Sequence, residues 1–203
     1  GHAPHHVHLV VDEYTLYIHD AGVVSRSAKA LNNAGALSIK YQKYEQGHEY
    51  LHRSMELNPL GYPIPYYTAA LAYTTIGEDA KAAEMYEKSL LNGDRDPFTR
   101  NNLGFILVDD EMDVVRGVTL IEEAVSAWPE NGEFRDSLAW GYFKLGRFEE
   151  ALEQIDLAMK FRAKKGKEPH PGHLEHKEQI VAALEQRERL RRSARPNAQP
   201  LPN

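Results

Sequence analysis

Histidine is the one residue type in this chain crowded enough to suggest a metal site. His2, His5, His6 and His8 gather near the start, and His170, His173 and His176 gather much later, the last two one helical turn apart. Two or three imidazoles can hold zinc or nickel, but a catalytic metal usually also needs a carboxylate and an open position on a rigid frame. The first cluster falls in a terminus and the second in a linker, so both read as solvated side chains. A histidine-ligated metalloenzyme is the remote alternative, and no metal and no cofactor is expected. Carboxylates stand together in Asp109-Asp110-Glu111, Glu122-Glu123 and Glu149-Glu150. Acid–base chemistry requires two of them in one water-poor cleft with pKa values driven apart, whereas these fall on helix surfaces and turns. There is no HExxH, no glycine-rich phosphate loop and no G-x-S-x-G elbow. With no cysteine in the chain, thiolate nucleophiles and cysteine-held zinc are excluded. No nucleophile has a plausible base, and the chain is not expected to be an enzyme.

What remains is binding, and composition narrows the partner. The 203 residues are 42% hydrophobic and 27% charged, the balance of a folded globular chain. No apolar run approaches the ~18 residues of a membrane span. The net charge of -6 is uneven: residues 1–159 carry 13 Lys+Arg against 25 Asp+Glu, and residues 160–203 carry 11 against 5. An acidic body is a poor platform for phosphates, so nucleic acid is not an expected partner. The basic run Arg187, Arg189, Arg191, Arg192, Arg195 reads as the solvated end of a helix. Membrane contact is expected only through that basic end or through an anchor outside the chain. The sequence reads as a fragment or a processed chain, and a cytoplasmic and a periplasmic setting both fit it.

The elements that would carry a binding surface repeat. A small residue recurs at Gly35, Ala70, Gly104 and Ala139, each preceded by Ala34, Ala69, Leu103 or Leu138. A second series runs through Gly47, Ala82, Gly117 and Ala151, and a third through Ser54, Ser89, Ala124 and Ala158, all at steps of 34 or 35. Between the second and third series stands a large apolar residue, Leu51, Tyr86, Ile121 or Ile155. Each unit reads as two helices at helical apolar spacing, whose small positions allow close approach. Gly77 and Gly146 mark helix ends, Asp96-Pro97 opens a helix, and Asn58-Pro59 and Trp128-Pro129 stop two others. A unit of this size cannot bury its own apolar faces, so a core forms only when units stack.

Period, helix pairing and the order of small and large positions resemble the tetratricopeptide repeat, with its W-x2-L-G-x2-Y, A-x3-F and P signature over about 34 residues. Unit four carries Leu138-Ala139, Tyr142, Gly146, Phe148 and Ala151. Unit three carries Leu103-Gly104, Gly117, Ile121, Ala124 and Pro129, with an extra residue in a DDEMD turn that lacks glycine. Unit one carries Ala34-Gly35, Gly47, Leu51 and Ser54, with Ser38 in the tyrosine place, and unit two carries Ala69-Ala70, Tyr73, Gly77, Ala82 and Tyr86. The resemblance implies an all-α fold, an α-solenoid of about four helix-turn-helix repeats, with an N-terminal helix and a C-terminal capping helix. The expected organisation is an N-terminal helix over 1–24, a cap or degenerate repeat, then four units over 25–163 (28–62, 63–96, 97–131 and 132–163). A linker and capping helix occupy 164–192, and a disordered tail 193–203. The N-terminal helix is read from Val7, Val10, Val11, Tyr14, Tyr17, Ile18 and Ala21, spaced by threes and fours. The capping helix is read from a stripe of Leu174, Ile180, Val181 and Leu184.

In proteins of this family the first helix of each repeat lines the concave face, which implies a groove holding Lys29, Asn33, Tyr67, Leu71, Phe98, Asn102, Phe105, Trp140 and Lys144. Tyr67, Leu71, Phe98, Phe105 and Trp140 would form an apolar strip, and a few such anchors carry most of the binding energy in a peptide groove. Asn33 and Asn102 stand where family members use asparagine to bond a peptide backbone, or else are bonded within their own repeat. Lys29 and Asn33 match the opening pair of the clamp that grips acidic chaperone tails, but Phe98 and Asn102 occupy its later places, so that ligand is not expected. The resemblance implies a non-catalytic scaffold or assembly adaptor binding a protein, peptide or partner helix. The alternative is self-association as a homo-oligomer, or a groove filled by the protein's own terminal helix, within a larger protein attached to a membrane.

Overall fold

The computed structural model describes residues 27–57 and 62–194, among which are nine α-helices and no strand. The expected helix over 1–24, the histidines at 2–8, the Asn58-Pro59 stop and residues 195–203 of the expected tail lie outside the described residues. Two compact units divide the chain, Gly1–Arg95 and Asp96–Asn203.

The first unit holds α1 (Ala28–Lys40), α2 (Tyr44–Leu57), α3 (Ile64–Thr75) and α4 (Asp79–Leu91). Ser27 caps α1, its Oγ accepting from the Ala30 amide at 3.3 Å. Small residues set the pairing distance: a Cβ placed on Gly35 would lie 2.6 Å from Leu51 Cγ, and one on Gly47 would lie 2.5 Å from Ile39 Cδ1. Ala69, Ala70 and Ala82 do the same work between α3 and α4, all fully buried around Tyr86. The serines of the third small series are buried and sit under the start of their partner helix. Ser54 donates to the Ala28 carbonyl at 2.6 Å, a hydrogen bond between the two helices of its repeat. Ser89 spends its hydroxyl hydrogen on Asp94 Oδ2 at 2.7 Å, with the Pro63 carbonyl farther off at 3.3 Å.

The second unit holds α5 (Pro97–Asp109), α6 (Val114–Ala127), α7 (Gly132–Lys144), α8 (Phe148–Lys164) and α9 (Pro171–Ser193). Asp96 and Asn131 cap α5 and α7 by accepting amide hydrogens of the first turn, and each such cap is worth about 1 kcal/mol. At the α5–α6 crossing the backbones nearly touch: a Cβ on Gly104 would lie 2.7 Å from the Gly117 carbonyl oxygen, and the reverse holds at Gly117. One continuous core runs through Val108, Ile121, Phe134, Leu138, Tyr142, Ile155 and Ile180. Ile180 belongs to α9, so the last helix is part of this core. Burying each such side chain is worth roughly 1.5–3 kcal/mol.

The turns within the pairs share a left-handed residue. Gly77 and Gly146 take φ +73°, while Gln42 and Glu111 take φ 60° and 54° at the corresponding corners. Only the glycines adopt that conformation without steric cost.

Candidate functional site

In the first unit the implied groove residues lie on the first helices α1 and α3. Lys29 is exposed in the first turn of α1 and Asn33 is half-buried one turn on. Tyr67 is half-buried with its ring edge-on to Tyr86, 6.0 Å between centroids, so it packs within its own helix pair. Leu71 is 40% exposed and borders a groove of about 380 Å³ between α1 and α3. Ala36, Ile39, Leu71 and Ala72 line that groove, with Lys40 and Gln42 at its edge. Thr68 and Thr75 also line it, but each spends its hydroxyl hydrogen on the carbonyl one turn back, Ile64 and Leu71 respectively. The lining is therefore mostly apolar. A second groove of about 560 Å³ opens between α2, α3 and α4, bordered by His48, Leu51, Met55, Tyr66, Tyr73 and Met85. His48 stacks on Tyr73 at 4.5 Å. Its burial, then the charge of Lys81, hold its pKa below the ordinary 6.5.

The implied residues of the second unit are mostly engaged. Phe98 meets Trp128 and Phe134 at 5.2 and 5.0 Å, both edge-on, while Trp128 and Phe134 stack at 5.9 Å. That cluster seals the junction of α5, α6 and α7. Trp140 donates its indole hydrogen to Asp109 Oδ1 at 2.8 Å and stacks between Phe143 at 5.0 Å and His176 at 4.6 Å. Lys144 lies 5.2 Å over the same ring and pairs with Glu111 at 2.8 Å. Asn102 accepts from the Asn101 amide at 3.4 Å. Phe105 remains half-buried on α5.

Of the later histidines, which their linker position suggested were solvated, His170 is exposed, His173 is buried and His176 is half-buried. His170 caps α9, its Nδ1 accepting from the Gly172 amide at 3.2 Å. His173 is 4% exposed, and burial, ahead of the charges around it, lowers its pKa. His176 is largely covered; burial opposes its charged form, but the hydrogen bond and charge of Asp136, 2.8 Å away, outweigh burial and raise its pKa. These two side chains are covered because α9 begins at Pro171, which puts both on its first turns: His176 meets Asp136 and Trp140 of α7, and His173 lies by the start of α7 and the end of α8. The expected stripe of α9 is corrected in the same way: Ile180 is fully buried, while Leu174 is 44% exposed.

Two further residues escaped sequence reasoning. Asn32 and Asn101 are buried beside the asparagines that were singled out, and each leaves its Oδ1 without a partner. The available signal was their phase, since both stand three residues before the small residue of the first series. Among the described residues no three His, Asp or Glu side chains converge on a metal position. Tyr142, whose pKa is raised to about 12 by burial and its 2.8 Å bond to Glu122, is a structural hydroxyl. Among the described residues no helix is long and apolar enough to cross a membrane.

No protein-family model matches the sequence, and no curated protein matches it. Solved structures do match. The crystal structure of YrrB, a TPR protein with an unusual peptide-binding site, superposes with a TM-score of 0.66 at 18% identity, over 86% of this chain and 99% of that one. The crystal structure of MamA gives 0.67 at 17% identity over 75% and 88%. MamA 41-end from Desulfovibrio magneticus RS-1 gives 0.60 at 16% identity over 79% and 95%. With the paired helices and in-phase small residues described above, these likenesses establish that the chain has the all-α fold of the tetratricopeptide-repeat proteins.

Proposed function

We propose that the protein is a non-catalytic interaction module that takes a peptide or partner helix on the face formed by the first helices of its repeats. The observation that carries this reading is the groove between α1 and α3, with an apolar lining and Leu71 40% exposed beside it. An exposed leucine over a preformed apolar groove is the arrangement that a partner's side chain fills. YrrB, whose peptide-binding site is named with its structure, shares the fold at 18% identity, which supports a peptide as the ligand class. In the second unit, taken by itself, Phe105 is half-buried on the first helix α5, and it is the anchor of this reading in that unit. Trp140 and Lys144 are held by Asp109, His176 and Glu111, and act by shaping the face rather than by gripping a ligand.

The second reading, in which the chain's own last helix fills part of this face, is favoured by one contact, the stacking of His176 of α9 on Trp140. A partner retained by the wild-type chain and lost by Leu71→Asp and by Phe105→Ala, with helicity unchanged by circular dichroism, supports the first reading. Retention by both variants contradicts it.

A further inference from the structure

We infer that the pocket framed by the start of α7, the end of α8 and the first turn of α9 is a binding site for a phosphate-type oxyanion. The pocket holds about 60 Å³, roughly the liquid volume of two waters. That suits one compact anionic group and excludes a bulky apolar ligand.

Three observations carry it. The first is charge. Arg162, Lys165 and Lys167 line the pocket, against one carboxylate, the exposed Glu133. Elsewhere in the basic end of the chain the cations are matched: Lys164 pairs with Glu130, and Arg187, Arg189 and Arg192 pair with Glu149, Glu185 and Glu188. Lys165 and Lys167 have no ion-pair partner among the described residues. They flank the pocket because the chain turns at Gly166, with φ +67°. The amides of residues 165–167 bond back to the Arg162 and Ala163 carbonyls, so these last carbonyls of α8 are satisfied by backbone and leave the lysine ammonium groups unspent.

The second is a buried imidazole with nothing to bond. His173 forms a wall of the pocket, is 4% exposed, and its Nδ1 has no hydrogen-bond partner. Burial disfavours its charged form; Asp136 of α7 favours it, while His170 and His176 of α9 and Arg162 of α8 oppose it. A buried polar group without a partner costs free energy, and an oxyanion in the pocket both supplies an acceptor and favours the imidazolium.

The third is the start of α7, the positive end of a 13-residue helix. Asn131 Oδ1 accepts the Glu133 and Phe134 amides, which leaves the side-chain amide hydrogens of Asn131 as donors at the pocket wall. The helix dipole adds to the attraction for an anion. An anion held there joins three helices, so its binding strengthens the attachment of α9.

The test uses the full chain and inorganic phosphate, at constant ionic strength with chloride as the reference salt. Phosphate is expected to raise Tm saturably, by about 3–5 °C at ten times its Kd, and to raise the pKa of His173 followed by NMR of its ring protons, assigned with His173→Gln. Lys165→Gln with Lys167→Gln, both exposed, should keep the helicity and weaken binding at least about tenfold. Phosphoserine separates the sources of the group: a response to it assigns the site to phosphate monoesters, a response to inorganic phosphate alone assigns it to the free ion, and either supports the site. No saturable response to either probe would overturn the inference. So would an equal response in the double lysine variant, or saturation that leaves His173 unmoved, which means an adventitious ion only. If the lysines serve only the dipole of α8, the double variant loses stability with phosphate binding unchanged, and the inference is likewise overturned.

Discussion

His176 Nδ1 lies 2.8 Å from Asp136 Oδ1 while its ring stacks on Trp140, 4.6 Å between centroids. One imidazole thereby fastens α9 to α7 by an ion pair and by an aromatic face. Three residues earlier on α9, His173 is buried with its pKa shifted in the opposite direction. The two opposed shifts predict that the attachment of α9 is strongest between the two folded-state pKa values.

The sign follows from the shifts. His176 has its folded-state pKa raised, so the stability it lends is fully present below the ordinary 6.5 and fades as the pH rises through its folded value. His173 has its pKa lowered, so its share is present above 6.5 and is lost as the pH falls through its folded value. Trp140 fluorescence, quenched by the stacked imidazolium, is expected to rise as the pH is raised from about 6 to about 8. Asp136→Asn should move that transition to lower pH and His176→Gln should abolish it. An unchanged titration in His176→Gln would contradict the assignment.

At the α5–α6 crossing, a Cβ on Gly104 meets a carbonyl oxygen of the facing helix at 2.7 Å, and backbone cannot give way as a side chain can. Gly104→Ala is expected to destabilise the protein by about 1–3 kcal/mol, read from urea unfolding. Gly35→Ala meets only Leu51 side-chain atoms under 3.0 Å, and should cost less. Equal effects would mean that the close backbone approach is not what constrains the crossing.

Gln42 occupies a left-handed corner with φ 60° where Gly77 and Gly146 serve in other pairs. Gln42→Gly is expected to stabilise by about 0.5–1 kcal/mol, since relief of the Cβ clash exceeds the added chain entropy. Gly146→Ala should destabilise by about 1 kcal/mol for the converse reason. Thermal denaturation of the two variants reads both.

Ser54→Ala removes a 2.6 Å hydrogen bond to the Ala28 carbonyl and leaves that acceptor beside an apolar group. The expected loss is about 1 kcal/mol. Units three and four carry Ala124 and Ala158 in the same phase, so Ala124→Ser places a hydroxyl where Ser54 bonds and is expected to recover part of that gain. A calorimetric comparison of the two substitutions checks the point.

The helix pairs could be read from the sequence because their determinants are local and periodic. Gly35, Gly104 and Ala139 mark the crossings, and Asp96-Pro97 and Gly146 mark the ends. The contacts that α9 makes were not readable in the same way, because that helix lies outside the repeat phase and no period says which ring it will cover. Trp140 could be placed on the first-helix face from its phase, but its burial against His176 depends on a partner 36 positions away. Phe98 illustrates the same limit: its phase gives the helix face, while its contact with Trp128 and Phe134 follows from the angle at which α5 meets the next pair. Asn32 and Asn101 were passed over for neighbours that differ from them by one position, a distinction that burial makes and composition does not.

The central claim is that first helices of the repeats bind a peptide or partner helix, with Leu71 as the anchor in the first unit and Phe105 in the second. The most direct measurement is a quantitative pull-down from lysate of the source organism, comparing the full chain with Leu71→Asp and Phe105→Ala variants of matched helicity, and with His52→Ala beside the second groove. The account predicts one partner retained by the wild type and by His52→Ala and reduced at least about tenfold, or about 1.4 kcal/mol, by each variant on the first-helix face. Retention by the Leu71 and Phe105 variants with loss in His52→Ala would contradict it and place the working surface at the groove of α2, α3 and α4.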